Sequence, residues 1–120
     1  MRLNLVAGGA GAPVALLHGL FGAAQNWGTI QRRLAARHRV LALDLRNHGA
    51  SPRAPAMDYP AMAEDVAETL AAAGALPAAV IGHSMGGKVA MALALTRPEA
   101  VSRLLVADIA PLAYPPALRG

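Results

Sequence analysis

Ala78-Ala79-Val80-Ile81-Gly82-His83-Ser84-Met85-Gly86-Gly87 is the stretch that decides how the rest of the chain is read. An apolar run suited to a buried parallel strand ends in Gly-x-Ser-x-Gly. Lys88-Val89-Ala90-Met91-Ala92-Leu93-Ala94-Leu95, rich in Ala and Leu, then continues as a helix. Strand, tight turn and helix are the surroundings a nucleophile elbow needs. Such a turn lifts Ser84 Oγ above the C-terminal end of the strand and leaves the serine backbone strained. Glycine at 82 and 86 removes the Cβ atoms that would clash there. Gly87 lets the helix pack closely on the sheet, and helix 85–96 points its free N-terminal N–H groups at charge forming beside Ser84. A bystander serine in a glycine-rich turn would need neither the strand before it nor the helix after it.

A second motif lies upstream. Pro13-Val14-Ala15-Leu16-Leu17 reads as a buried strand and runs into His18-Gly19-Leu20-Phe21-Gly22. Acyl transfer builds an oxyanion, which needs two preorganised N–H donors. One is the amide after the nucleophile, Met85; the other belongs to the His-Gly loop, at Leu20 or else Phe21. His18 reads as a buried imidazole that holds this loop. It lies too early for the base in a Ser-acid-His order.

The coarse element order is β-β-α-β-α-β-α-β. Strands are expected over 2–7, 13–17, 39–45, 78–83 and 103–108. The first helix is expected from about Asn26, a good N-cap, to about Arg37. Trp27, Ile30, Leu34 and Ala35 would face the sheet. The second helix is expected over about 60–73, with Met62, Val66 and Leu70 inward, Glu64, Asp65 and Glu68 on the solvent side, and Gly74 at the C′ position. Strands alternating with helices predict an α/β fold, a mostly parallel sheet with helices on both faces.

Other residues carry two readings each. Asp108 ends the strand after the nucleophile helix, where ligands gather in such sheets, and follows Ser84 as a triad acid should. It serves equally well as an Asx turn opening the loop Pro111–Pro116. Phe21, Trp27 and Met85 suit an acyl pocket or the core. Asp44 and Arg46 read as a structural hydrogen-bonding loop, His48 and His83 as loop and turn histidines, and His38 as an exposed helix end.

Composition excludes several classes. Hydrophobic residues make up 55% of the 120, so a packed core is expected. No apolar run approaches the roughly 18 residues of a membrane span. The Met-Arg-Leu-Asn-Leu-Val start lacks the apolar region of a signal peptide. A cytoplasmic, soluble protein with no membrane partner is therefore expected. Zero cysteines exclude disulfides and thiolate zinc sites. The net charge of +4 has one cluster, Arg32, Arg33, Arg37 and Arg39. The first three end a helix, where cations complement the macrodipole. They read as a solvated face, with no nucleic-acid partner.

With these residues in hand, the chain resembles the α/β-hydrolase superfamily and, within it, the YbfF-like serine esterases. The matching stretches are His18–Gly22, Gln25-Asn26-Trp27, Asp44–Gly49 with Ser51, Gly82–Gly87 and Val106–Pro111. The resemblance implies hydrolysis of carboxylic esters or acyl thioesters through an acyl-enzyme on Ser84, with no metal or organic cofactor. It places the triad acid at Asp108 or after a later strand; Phe21 and Trp27 are the expected substrate-binding residues if they line the pocket rather than the core. A whole fold of this kind needs roughly 200–250 residues as one domain. Residues 1–120 are accordingly expected to be the N-terminal portion of such a domain. The cap, the remaining strands and the catalytic histidine would lie beyond, and the 103–108 strand would be left as an apolar edge. The alternative is a non-catalytic α/β module that keeps the elbow and acts by binding.

Overall fold

The computed structural model describes residues 1–19, 22, 27–55 and 57–107. Five strands form one sheet: β1 (Leu5–Gly8), β2 (Pro13–Leu17), β3 (Arg39–Leu43), β4 (Ala78–His83) and β5 (Val101–Ala107). Their spatial order is β1-β3-β2-β4-β5. Pairing is parallel throughout β3-β2-β4-β5, and β1 alone runs antiparallel, against β3. Three α-helices connect the strands: α1 (Gly28–Leu34), α2 (Tyr59–Ala72) and α3 (Met85–Thr96). The expected α/β architecture is therefore present, and the element order agrees with that read from the sequence.

Alternation along β2 and β3 builds two cores, as central strands covered on both faces require. Ala15, Leu17, Leu41, Leu43 and Val80 point to one face, where Met62, Val66 and Leu70 of α2 and Val89 and Leu93 of α3 cover them. Val14, Leu16, Val40 and Ala42 point to the other, where they meet Trp27, Leu34 and Ala35. Burying a leucine or valine in this way contributes about 1.5–3 kcal/mol relative to exposure.

The helix ends follow from local chemistry. Asp58, in extended backbone, caps α2 by accepting from the Ala61 N–H at 2.8 Å. Gly74 closes α2 with φ +66°, while the Ala75 N–H reaches Leu70 O and the Gly74 N–H reaches Ala71 O. That pair of bonds is a Schellman motif, so the expected C′ glycine is in place.

Several expectations need correction. α1 is shorter than 26–37. Only its C-terminal end packs on the sheet, and Trp27 joins that core from outside the helix. Ile30, expected to face inward, is 47% exposed. Asp65, expected on the solvent side of α2, is buried. Arg46 Nε and Nη2 donate to its two oxygens at 2.6 and 3.0 Å, and the Met1 ammonium lies 3.2 Å from Oδ1. A carboxylate is tolerated there because it is doubly paired. The first strand begins at Leu5 rather than residue 2, and the last begins at Val101 rather than residue 103. Among the described residues β1 and β5 are the two edge strands, and on β5 Leu104 and Leu105 are exposed. His38 is half-buried, its Nδ1 3.3 Å from Leu34 O.

Candidate active site

β4 delivers the chain into α3 through one residue, Ser84, whose backbone sits at φ 57°, ψ −115°. Positive φ in a non-glycine residue costs about 1–3 kcal/mol and persists only where the surroundings impose it. Here they do. The Ser84 N–H donates to Ala107 O at 3.1 Å, and the Lys88 N–H reaches back to Ser84 O at 3.2 Å. Ser84 is exposed, and its hydroxyl makes no capping bond to α3. The oxygen is thus left clear of the helix that follows it.

The two glycines of the motif are needed for close approach. A Cβ on Gly82 would lie 2.3 Å from Gly86 O, and one on Gly86 would lie 2.1 Å from Leu17 O. With no side chain at either place, the first turn of α3 sits directly against the ends of β2 and β4. The Met85 amide is the first of α3, where unpaired N–H groups and the helix dipole favour negative charge.

The His18-Gly19 loop lies beside the elbow. A Cβ on Gly19 would stand 3.4 Å from Ser84 Cβ and 3.2 Å from His83 Nδ1. The loop turns at once, with the Gly22 N–H on Gly19 O at 2.9 Å. His18 is buried; its Nε2 accepts the Leu45 N–H at 2.9 Å, and its Nδ1 lies 2.7 Å from Gly19 O. Nε2 must therefore be unprotonated and Nδ1 must carry the hydrogen. Burial, the largest influence, holds the His18 pKa below its ordinary value, with neighbouring His48 adding to the depression. The ring of His48 lies 5.0 Å away, and its Nδ1 lies 2.9 Å from Arg46 O. Asp44 Oδ2 accepts from Asn4 Nδ2 and the Ala50 N–H, and Ser51 Oγ donates to Asp44 O. The Asp44–Ser51 loop is thus a structural brace, tied through Leu45 to His18.

The structure brings Ser84 and Met85 together, with the start of the 18–22 loop against them. Leu20, Phe21 and Asp108 lie outside the described residues. Ala107, the last described residue, is the one that receives the Ser84 N–H. Trp27 takes the core alternative, against Val14, Leu16, Val40 and Ala42, with its Nε1 buried and without a partner among the described residues. A hollow of about 360 Å³ opens at Ser84, lined by Met57, Tyr59, Ser84, Met85 and Lys88. Sequence reasoning missed Met57, Tyr59 and Lys88. Lys88 was legible in principle, four residues after Ser84 on the same helix face. Met57 and Tyr59 were not, because nothing local ties the start of α2 to the elbow.

A serine held at positive φ between a parallel strand and a helix, beside a His-Gly loop, is the local arrangement expected in an α/β-hydrolase fold. The chain belongs to that family: the α/β-hydrolase fold model matches residues 12–119. It is 45% identical over 119 residues to Esterase YbfF of Escherichia coli (strain K12), covering 95% of this chain and 47% of the relative. It is 46% identical to the sn-1-specific diacylglycerol lipase ABHD11 of Mus musculus, covering 97% and 39%. Among solved structures it resembles a marine microorganism esterase, with a TM-score of 0.87 and 42% identity over 92% of this chain and 42% of that one. The chain thus spans less than half the length of these relatives. Among the described residues, no helix is long and apolar enough to cross a membrane.

Proposed function

We propose that this chain carries the nucleophile and oxyanion site of a serine hydrolase acting on carboxylic esters or acyl thioesters. Ser84 Oγ attacks the acyl carbonyl, the ester C–O or thioester C–S bond breaks, and the alcohol or thiol leaves with the proton taken from Ser84, which gives the acyl-enzyme. The Met85 and Leu20 amides hold the developing oxyanion, with the dipole of α3 behind Met85. A histidine from chain beyond residue 120 takes the serine proton, oriented by Asp108 or by a later acid, and water then releases the acyl group. The observation that carries this reading is the Ser84 backbone at φ 57° with its hydroxyl free of the helix cap. The Ala107 carbonyl on the Ser84 N–H supports Asp108 as the acid, since it ties the end of β5 to the elbow. The esterase and lipase names of the relatives support the substrate class.

His18 is no substitute base: its Nε2 is held by Leu45 and its Nδ1 by Gly19. Residues 1–120 alone should therefore turn over p-nitrophenyl acetate negligibly, because losing a triad member costs roughly 10⁴-fold or more. The whole enzyme should hydrolyse it and label with a fluorophosphonate at Ser84, and Ser84→Ala should abolish both. A whole protein that neither hydrolyses nor labels would instead be a binding module that keeps the elbow.

A further inference from the structure

Among the described residues, the hollow beside Ser84 contains one charged side chain, Lys88, the only lysine in the sequence. Met57, Met85 and Tyr59 form the rest of its wall around the nucleophile, and the Lys88 ammonium stands 6.0 Å from the centre of the Tyr59 ring. Three arginines on the packed elements are engaged elsewhere. Arg46 is paired with Asp65, Arg97 with Glu64, and Arg39 donates to Ala73 O at the end of α2. Lys88 has no ion pair among the described residues. Asp58, which flanks the hollow in sequence, directs Oδ1 to the Ala61 N–H as the cap of α2. Among the described residues, Lys88 is thus a cation without an ion pair that shares a cavity with Ser84. The positive end of α3 adds to its field there.

Resting on the serine-hydrolase reading, we infer that Lys88 is a specificity-determining residue. It favours substrates carrying an anionic group near the scissile carbonyl. Four residues of helix separate Lys88 from Ser84 by about 6 Å along the α3 axis. A carboxylate about two or three methylenes from the ester carbonyl spans that gap. An anion of similar reach on the leaving group meets the same charge. A neutral acyl chain of equal length gains only the apolar wall of Met57 and Met85.

The test compares kcat/KM in the whole enzyme for three substrates. These are p-nitrophenyl butyrate, the p-nitrophenyl monoester of succinic acid, and 3-carboxy-4-nitrophenyl butyrate. The second has its anion on the acyl chain and the third on the leaving group. Because Lys88 is exposed and screened, the anionic-to-neutral ratio should fall by about threefold to tenfold in Lys88→Met. It should fall further in Lys88→Glu and be restored within about twofold in Lys88→Arg. Added salt should lower the wild-type ratio and leave that of Lys88→Met unmoved. Which anionic substrate responds assigns the anion to the acyl or the leaving side. A lysine that only steadies Tyr59 would change all three rates together and leave both ratios constant, which overturns the assignment. No turnover of any of the three esters by wild type would sink the serine-hydrolase reading, and the Lys88 assignment with it.

Discussion

Replacing Gly86 with alanine sets two effects of opposite sign against each other. On helix propensity alone the change stabilises α3 by about 1 kcal/mol. Its new Cβ, however, would lie 2.1 Å from Leu17 O, 2.5 Å from Leu17 C and 2.6 Å from His18 O. Ordinary contact begins at 3.4 Å, so α3 or the end of β2 must retreat by more than 1 Å. All three atoms are backbone at the end of a central strand, and no side-chain rotation relieves them. Overpacking of this kind costs about 1–3 kcal/mol where neighbours can give, and more where they cannot. The steric term wins, and a net loss of about 3 kcal/mol is expected. In a domain of about 150–250 residues that lowers Tm by about 6–12 °C. The same displacement moves the Met85 amide relative to Ser84, and a misplacement of about 1 Å costs about 10²-fold in rate. Two companions calibrate the result. Gly87→Ala meets the Val106 Cγ1 methyl at 2.7 Å and Gly82 O less closely at 3.3 Å, and should lose about 1 kcal/mol as the Val106 side chain turns and the backbone gives by a few tenths of an ångström. Gly8→Ala meets nothing within 4 Å and should be neutral or slightly stabilising. Thermal melts and kcat/KM of the three variants in the whole enzyme decide the matter. A Gly86→Ala protein that melts within about 2 °C of wild type and keeps its activity would refute the close-approach reasoning.

Three further outcomes follow from the same geometry. Ser84→Ala and Ser84→Gly should both lose activity, but glycine should be the more stable by about 1 kcal/mol, because relief of strain at φ 57° exceeds glycine's entropic penalty; equal melting temperatures would mean the elbow stores no strain. Asp65→Asn should destabilise by about 3 kcal/mol, the low end for a broken buried pair because Arg46 keeps some contact with water, and urea unfolding that shows less than about 1 kcal/mol would remove the pair from the account. His18 has a folded-state pKa below its ordinary 6.5, so the unfolded chain binds the proton more readily; its contribution is complete above about pH 6.5 and is lost as pH falls below it. Tm should therefore drop between pH 7.5 and 5, and His18→Gln, less stable throughout, should show a flatter slope; an unchanged slope would assign the dependence to another group.

Much of the site could be read before any coordinates. β4 and α3 lie where expected because Gly82 meets a steric requirement within its own turn, where a Cβ would strike Gly86 O, and the glycine spacing records it, although the need for Gly86 itself comes from Leu17 and His18 far earlier in the chain. Gly74 was equally legible, since a helix stop needs only its own turn. Asp65 was not. Helical periodicity places a carboxylate on a face without showing that Arg46, 19 residues earlier, lies there to neutralise it. Ile30 failed for the reverse reason: its periodicity is helical, but α1 packs only at its far end.

Local pattern was sufficient for the strand-turn-helix unit, the His-Gly loop and the two-sided burial of β2 and β3. In each of these the deciding forces act between residues a few positions apart. Folding in three dimensions supplied the rest: the antiparallel course of β1, the burial of Asp65, and the union of Met57 and Tyr59 with Ser84 and Lys88 around one hollow. Those depend on long-range packing of α2 against α3 and of β1 against β3, which no short window of residues encodes.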